Sequence, residues 1–136
     1  MKPEHATKLR FAVVGIANTA VDLVAYTLLA LAGVPMFVAN LVSTSAGMVC
    51  SFTLNRSFTF RAKGGDVRTQ ILLFALVTAV GLWVVQPIVI SLTGGAFAGT
   101  PEVVAVVGPK LVALAFTLVW NYVLYNKLVF RQKETV

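Results

Sequence analysis

Four apolar stretches occupy nearly all of this chain: Phe11 to Leu31, Met36 to Leu54, Ile71 to Leu92, and Val103 to about Tyr125. A helix rises ~1.5 Å per residue, so about 20 residues cross the ~30 Å hydrocarbon core of a bilayer, the length of each stretch. Only 12% of the 136 residues are charged, against about 25% in a soluble domain, and 58% are hydrophobic. That leaves too little polar surface to cover a water-soluble globule. The ten-residue alternation of a membrane β-barrel is absent. The expected fold is all-α: an integral membrane bundle of four transmembrane helices in two hairpins. It forms a single domain over residues 1–136, and the spans leave no room in the chain for a soluble catalytic module.

The basic residues set an orientation. Of eleven lysines and arginines, ten fall in three places: Lys2, Lys8 and Arg10; Arg56, Arg61, Lys63 and Arg68; Lys127, Arg131 and Lys133. The connections around Gly33-Val34-Pro35 and from Gly94 to Pro101 carry none. Lysine and arginine beside membrane spans are retained on the cytoplasmic side. Both termini and the central loop are therefore expected in the cytoplasm, with two short tips outside. The net charge of +6 flanks spans instead of forming a stripe, which argues against nucleic acid and for anionic lipid headgroups, worth ~1 kcal/mol per residue.

An N-terminal signal peptide ending at Ala30-Leu31-Ala32 is the competing reading of the first stretch. Its length and its Asn18 and Asp22 favour a retained span. Cys50, the lone cysteine, reads as a small core residue. Gly33 and Pro35 suit the end of one helix and the start of the next. The exit of the second span (Ser51-Phe52, Leu54, Phe60-Arg61) is echoed after the fourth (Asn121-Tyr122, Leu124, Phe130-Arg131). That echo suggests two parallel hairpin repeats.

Polar groups in hydrocarbon are costly and face protein or water-filled cavities. They recur at helical spacing as Gly15, Asn18, Thr19, Asp22 and Tyr26; as Asn40, Thr44, Gly47, Ser51 and Asn55; and as Lys110, Ala113, Thr117 and Asn121. The third span carries fewer: Thr78, Gly81 and Gln86. Spans one, two and four are thus expected to surround a polar interior, with span three meeting more lipid. For Thr19, Thr44, Gly47 and Ala113 the simpler role is close packing.

Asp22 and Lys110 are the only charged side chains inside the spans. Asp22 lies roughly 16 Å from the cytoplasmic start of its helix, leaving about 14 Å to the outer face. Lys110 lies about 10 Å below that face. An intramembrane ion pair is expected, either as a permanent brace or as a separable site for an anionic substrate and a proton. No histidine–carboxylate cluster, metal-ligand spacing or phosphate-cradling loop appears, so neither an enzyme nor a cofactor or metal site is expected.

Arg10-Phe11, Gly15, Asn18-Thr19 and Asp22 resemble the opening signature of the GtrA-like proteins. Phe52-Thr53-Leu54-Asn55-Arg56 with Phe58-Thr59-Phe60 is similar to that family's second block. Pro109-Lys110, Asn121-Tyr122, Asn126-Lys127 and Val129-Phe130 are similar to its third. The resemblance spans almost the full chain, departing at Asn126-Lys127, where relatives often carry arginine. It implies a small membrane protein of the bacterial inner membrane that moves a polyprenyl-phosphate-linked sugar between leaflets for polysaccharide or cell-wall synthesis, beside a membrane glycosyltransferase. The substrate-binding positions carried over are Asn18, Asp22, Asn55, Arg56, Lys110 and Asn121. To these the polar stripe and the basic loop add Asn40 and Arg61. Two other functions fit the same composition: an adaptor that recruits a glycosyltransferase, and a proton-coupled cation exporter using Asp22. Four spans enclose little volume, which favours a homodimer or larger assembly.

Overall fold

The computed structural model describes residues 1–62 and 64–131; Lys63 and Lys133 of the basic clusters lie outside them. Among the described residues every regular element is helical, and four helices are long and apolar enough to cross a membrane. The chain divides into two compact units, 1–64 and 65–136.

Unit 1 is the hairpin of α1 (Pro3–Leu31) and α2 (Met36–Leu54). The first helix begins well before the apolar run because Pro3 suits its first turn. Glu4 there pairs with Lys8 one turn later, at 2.6 Å. The helix ends at Gly33, whose φ of 83° is the left-handed conformation glycine adopts freely. Val34 N–H then closes on the Leu29 carbonyl at 3.0 Å. The hairpin closes tightly at Gly47: a Cβ there would sit 3.3 Å from the Asn18 carbonyl oxygen and 3.3 Å from Asp22 Cβ.

The buried line along α2 is Ala39, Ser43, Gly47, Ser51 and Asn55, whereas Asn40 and Thr44 are exposed. The polar stripe read from the sequence thus holds from Gly47 inward and is rotated by one residue in the outer half. An unbroken four-residue spacing continues through Ser43 and Ala39 instead.

α2 does not stop at Leu54. It continues as a π-helical turn over Asn55–Thr59, so the second span outlasts its apolar run. Phe60 N–H closes this turn on the Asn55 carbonyl at 2.9 Å, and Ala62 N–H reaches the Arg56 carbonyl at 2.8 Å. Between them Arg61 takes φ of 52°, a left-handed conformation costing a non-glycine residue about 1–2 kcal/mol. Phe60 packs on Phe11, with ring centroids 6.2 Å apart.

Unit 2 runs α3 (Val67–Val80), a π turn (Gly81–Val85), α4 (Gln86–Thr93), a 3-10 turn (Gly94–Phe97) and α5 (Glu102–Leu124). It ends in another π turn, Tyr125–Val129. Asp66 caps α3 by accepting from the amides of Arg68 and Thr69, and the Thr69 hydroxyl adds a third bond at 2.6 Å. These bonds hold the Asp66 carboxyl below its ordinary value of 3.8; the Thr69 hydroxyl is the largest cause and the Thr69 amide the next. Gly81 lets α5 approach, since a Cβ there would stand 3.1 Å from Thr117 Cγ2 and 3.2 Å from Trp120 Cδ1. Phe97 lies over Gly108, where no Cβ could fit.

The third span has the largest buried share of the four, against the expectation that it would meet more lipid than the others. Gln70, Phe74, Val77, Gly81, Gln86 and Val89 are buried along it. Its buried face is built from aromatic, aliphatic and amide side chains, where α2 buries the small residues Ala39, Ser43, Gly47 and Ser51 and α1 buries Phe11 and Val14.

Several exposed hydroxyls are satisfied within their own helix. Thr19, Thr27, Ser45 and Ser91 donate to the carbonyls of Gly15, Leu23, Leu41 and Pro87 at 2.7–2.8 Å.

Candidate functional site

In unit 1 the candidate residues form two levels. Asn18 and Asp22 sit half-buried on α1, one turn apart and both against Gly47. The missing Cβ at Gly47 is what brings the Asp22 backbone so close to α2. Among the described residues of the unit the Asp22 carboxyl receives no hydrogen bond or ion pair.

One end of the unit gathers the basic and aromatic residues. Arg10 lies over the Phe58 ring at 5.6 Å, within the range where a guanidinium is attracted by the ring face. Arg56 is half-buried and Arg61 exposed on the same short segment. Asn55 is 1% exposed and donates Nδ2–H to Ser51 Oγ at 3.2 Å. Its Oδ1 and the hydroxyl oxygen of Thr59 are buried with no hydrogen-bond partner among the described residues. Asn40 lies apart, exposed near the opposite end of α2.

In unit 2, Lys110 has a partner that the sequence reading missed. Its ammonium donates to Gln86 Oε1 at 2.7 Å, and Gln86 is 3% exposed. The partner is a neutral amide and not a carboxylate. Depth alone points to the pair. Gln86 stands fifteen residues beyond Ile71, roughly 22 Å in and about 8 Å from the outer face, closer to the level of Lys110 than Asp22 is. Pro109, buried beside Lys110, removes one helical N–H at that turn. Asn121 lies further along α5, where its Oδ1 is buried without a partner among the described residues, 3.3 Å from the position a Gly81 Cβ would take.

The sequence reading also missed Thr59. Its four-residue spacing from Asn55, itself four beyond Ser51, was the available signal. The chemical capacity is distributed over both units. Unit 1 holds a basic, aromatic end above two unsatisfied buried oxygens, and unit 2 holds a membrane-level cation on a neutral acceptor. Unsatisfied buried groups typically cost ~1–3 kcal/mol each.

The sequence model of the GtrA/DPMS transmembrane domain matches residues 10–130. The chain belongs to that family. The match runs from Arg10, at the basic end of α1, to Phe130, which closes the last π turn on Tyr125. It therefore takes in every candidate residue of both units. No curated protein matches the chain. The GtrA/DPMS assignment and the four apolar helices make this a multi-pass membrane protein of lipid-linked sugar processes.

Proposed function

We propose that this GtrA/DPMS-family chain is a translocase that moves a polyprenyl-phosphate-linked monosaccharide between leaflets of the bacterial inner membrane, both termini being cytoplasmic. It performs no covalent chemistry itself, and a membrane glycosyltransferase supplies its substrate. The observation that carries this reading is Lys110, a cation held at membrane depth by the neutral amide of Gln86 at 2.7 Å. A lysine placed there solely as a structural brace would be expected to face a carboxylate within its unit, because an uncompensated charge in hydrocarbon is expensive. A neutral acceptor fixes the side chain and leaves its charge free for a passing phosphodiester.

The remaining parts fit the same substrate. Arg56 and Arg61 offer charge-assisted hydrogen bonds to the phosphate at the cytoplasmic mouth. Asn55 Oδ1, Thr59 Oγ1 and Asn121 Oδ1 are acceptors suited to sugar hydroxyls. The lipid tail stays in the bilayer while the head crosses. A cation exporter is disfavoured, because Lys110 would repel its cargo.

The test is transbilayer movement of a fluorescent polyprenyl-phosphosugar in proteoliposomes. The wild-type protein should accelerate it well above protein-free vesicles, and Lys110→Ala should remove most of that acceleration. If neither protein accelerates movement, direct translocation is wrong. An adaptor would instead tolerate Lys110→Ala in cells and fail on charge reversal at Arg61 and Arg68.

A further inference from the structure

The buried face of the third span changes its step at one place. Gln70, Phe74, Val77 and Gly81 follow one another at four-, three- and four-residue spacing, as one face of a helix requires. The next buried residue is Gln86, five positions on, with Val89 three beyond it. The π turn Gly81–Val85 fills that longer step. An unbroken α-helix turns about 100° per residue, which would bring Val85 to within about 40° of Gly81 and leave Gln86 about 140° away. The π turn instead takes five residues to come round, its closing bond running from the Gln86 N–H to the Gly81 carbonyl. Gln86 thereby gains the inward place, and Val85 is only half-buried.

Both ends of this turn are fixed. At the near end Gly81 lies so close to α5 that a Cβ would press on Thr117, Trp120 and Asn121. At the far end stands Pro87, which has no N–H to carry the shifted register onward. In an unbroken α-helix its ring would also meet the carbonyl of Trp83. The shift therefore begins at a helix contact and ends at a proline. Unit 1 shows the pattern without the extra residue: Val14, Asn18 and Asp22 follow at four-residue spacing in the unbroken α1. Unit 2 has Val77, Gly81 and Gln86 in that order, with one residue added after Gly81.

The side chain so turned inward is the one that holds the cation, since Gln86 Oε1 accepts from the Lys110 ammonium at 2.7 Å. Val85 in that place would offer the ammonium no acceptor. We propose that the π turn Gly81–Val85 is a register device that makes Gln86 the positioning residue of Lys110, its extra residue selecting a neutral amide over Val85. The register rests on the helix alone; what the positioned ammonium does rests on the translocase reading above.

Solid-state NMR of the full-length chain in lipid bilayers reads the contact directly. Isotopes in the lysine ammonium nitrogens and the glutamine side-chain carbonyl carbons should show a dipolar coupling that Lys110→Ala removes. Exchanging two residues, Val85→Gln with Gln86→Val, keeps the composition and should lose the coupling. Transbilayer movement of the phosphosugar should then fall by at least about tenfold, the effect of one hydrogen bond to a charged group. Deleting Val84 together with Pro87→Ala lets the segment run as an unbroken α-helix with Gln86 four residues after Gly81. Coupling and movement should both survive. Gln86→Glu separates positioning from bracing. The coupling should stay, yet movement should fall at least about tenfold, because a carboxylate engages the charge that the amide leaves available.

Four results overturn the proposal: no Lys110-dependent coupling in the wild type; a coupling that survives the Val85–Gln86 exchange, which would give the segment an α register; a deletion variant of wild-type helix content that lacks the coupling; or wild-type movement in Gln86→Glu, which would make Gln86 a brace only. The expected couplings without movement by the wild type reject the translocase reading and leave the register intact. Movement without the coupling does the reverse.

Discussion

The two units end in the same backbone turn and fill it with opposite chemistry. Asn55–Thr59 and Tyr125–Val129 are both five-residue π turns, closed by the amides of Phe60 and Phe130 on the carbonyl five residues back. In unit 2 the first position is Tyr125. Its ring stacks on Phe74 at 4.8 Å and its hydroxyl meets Thr78 Oγ1 at 2.6 Å, while the last position is the apolar Val129. In unit 1 the same two positions are Asn55 and Thr59, each with a buried oxygen that has no hydrogen-bond partner among the described residues. The turn itself therefore does not require those polar atoms. Unit 2 fills the two positions with packed side chains, and unit 1 fills them with polar ones.

The sharpest way to break this contrast is to truncate both first positions. Tyr125→Ala removes a buried ring packed on Phe74 and Phe130, and should destabilise unit 2 by about 3–5 kcal/mol in a reversible detergent unfolding titration. Asn55→Ala should cost far less, because it removes one bond to Ser51 and deletes an unsatisfied oxygen. Equal losses would mean that both turns are built for stability alone. Thr59→Val places unit 2's residue in unit 1 with almost no change of shape. It should stabilise the protein by up to roughly 1–3 kcal/mol while slowing phosphosugar translocation. A loss of stability would reveal that the hydroxyl has a partner within the fold.

Arg61→Gly probes the residue that closes the first turn. Left-handed strain of about 1–2 kcal/mol is relieved, against about 0.5–1 for the extra freedom of unfolded glycine, a net gain of up to about 1.5 kcal/mol. Translocation should nonetheless fall if the guanidinium captures phosphate. Unchanged transport at higher stability would remove Arg61 from the site.

The smallest expected effect is at the Asp66 cap. Its carboxyl titrates below 3.8 in the folded chain, so the cap's contribution is fully present above its unfolded value and fades as pH falls through the lowered one. The Thr69 amide resonance should move with a midpoint below 3.8. A midpoint at or above that value would show the bonds to be too weak to hold the charge.

The spans were legible because apolar length is a crude and robust signal. Asp22 and Lys110 were legible as functional candidates because charge in hydrocarbon is rare. The π turns were not, since shifting a hydrogen bond by one residue leaves no mark on composition. The rotation of the outer half of α2 was missed for a related reason. Ala39 and Ser43 look neutral beside Asn40 and Thr44, and the more polar pair lies where the helix nears the membrane surface. The Gln86–Lys110 bond was available from depth, but opposite charge drew attention to Asp22 first.

The hydroxyls of Thr19, Thr27, Ser45 and Ser91, each turned back onto its own helix, make these exposed positions chemically quiet. Replacing Thr27, Ser45 or Ser91 by cysteine removes only that bond, whereas the Thr19 hydroxyl also reaches Asn18 Oδ1 at 3.4 Å. They supply ready attachment points for spin or fluorescent labels on both units. Distances between such labels would report whether the two hairpins move against one another when a lipid-linked sugar is added.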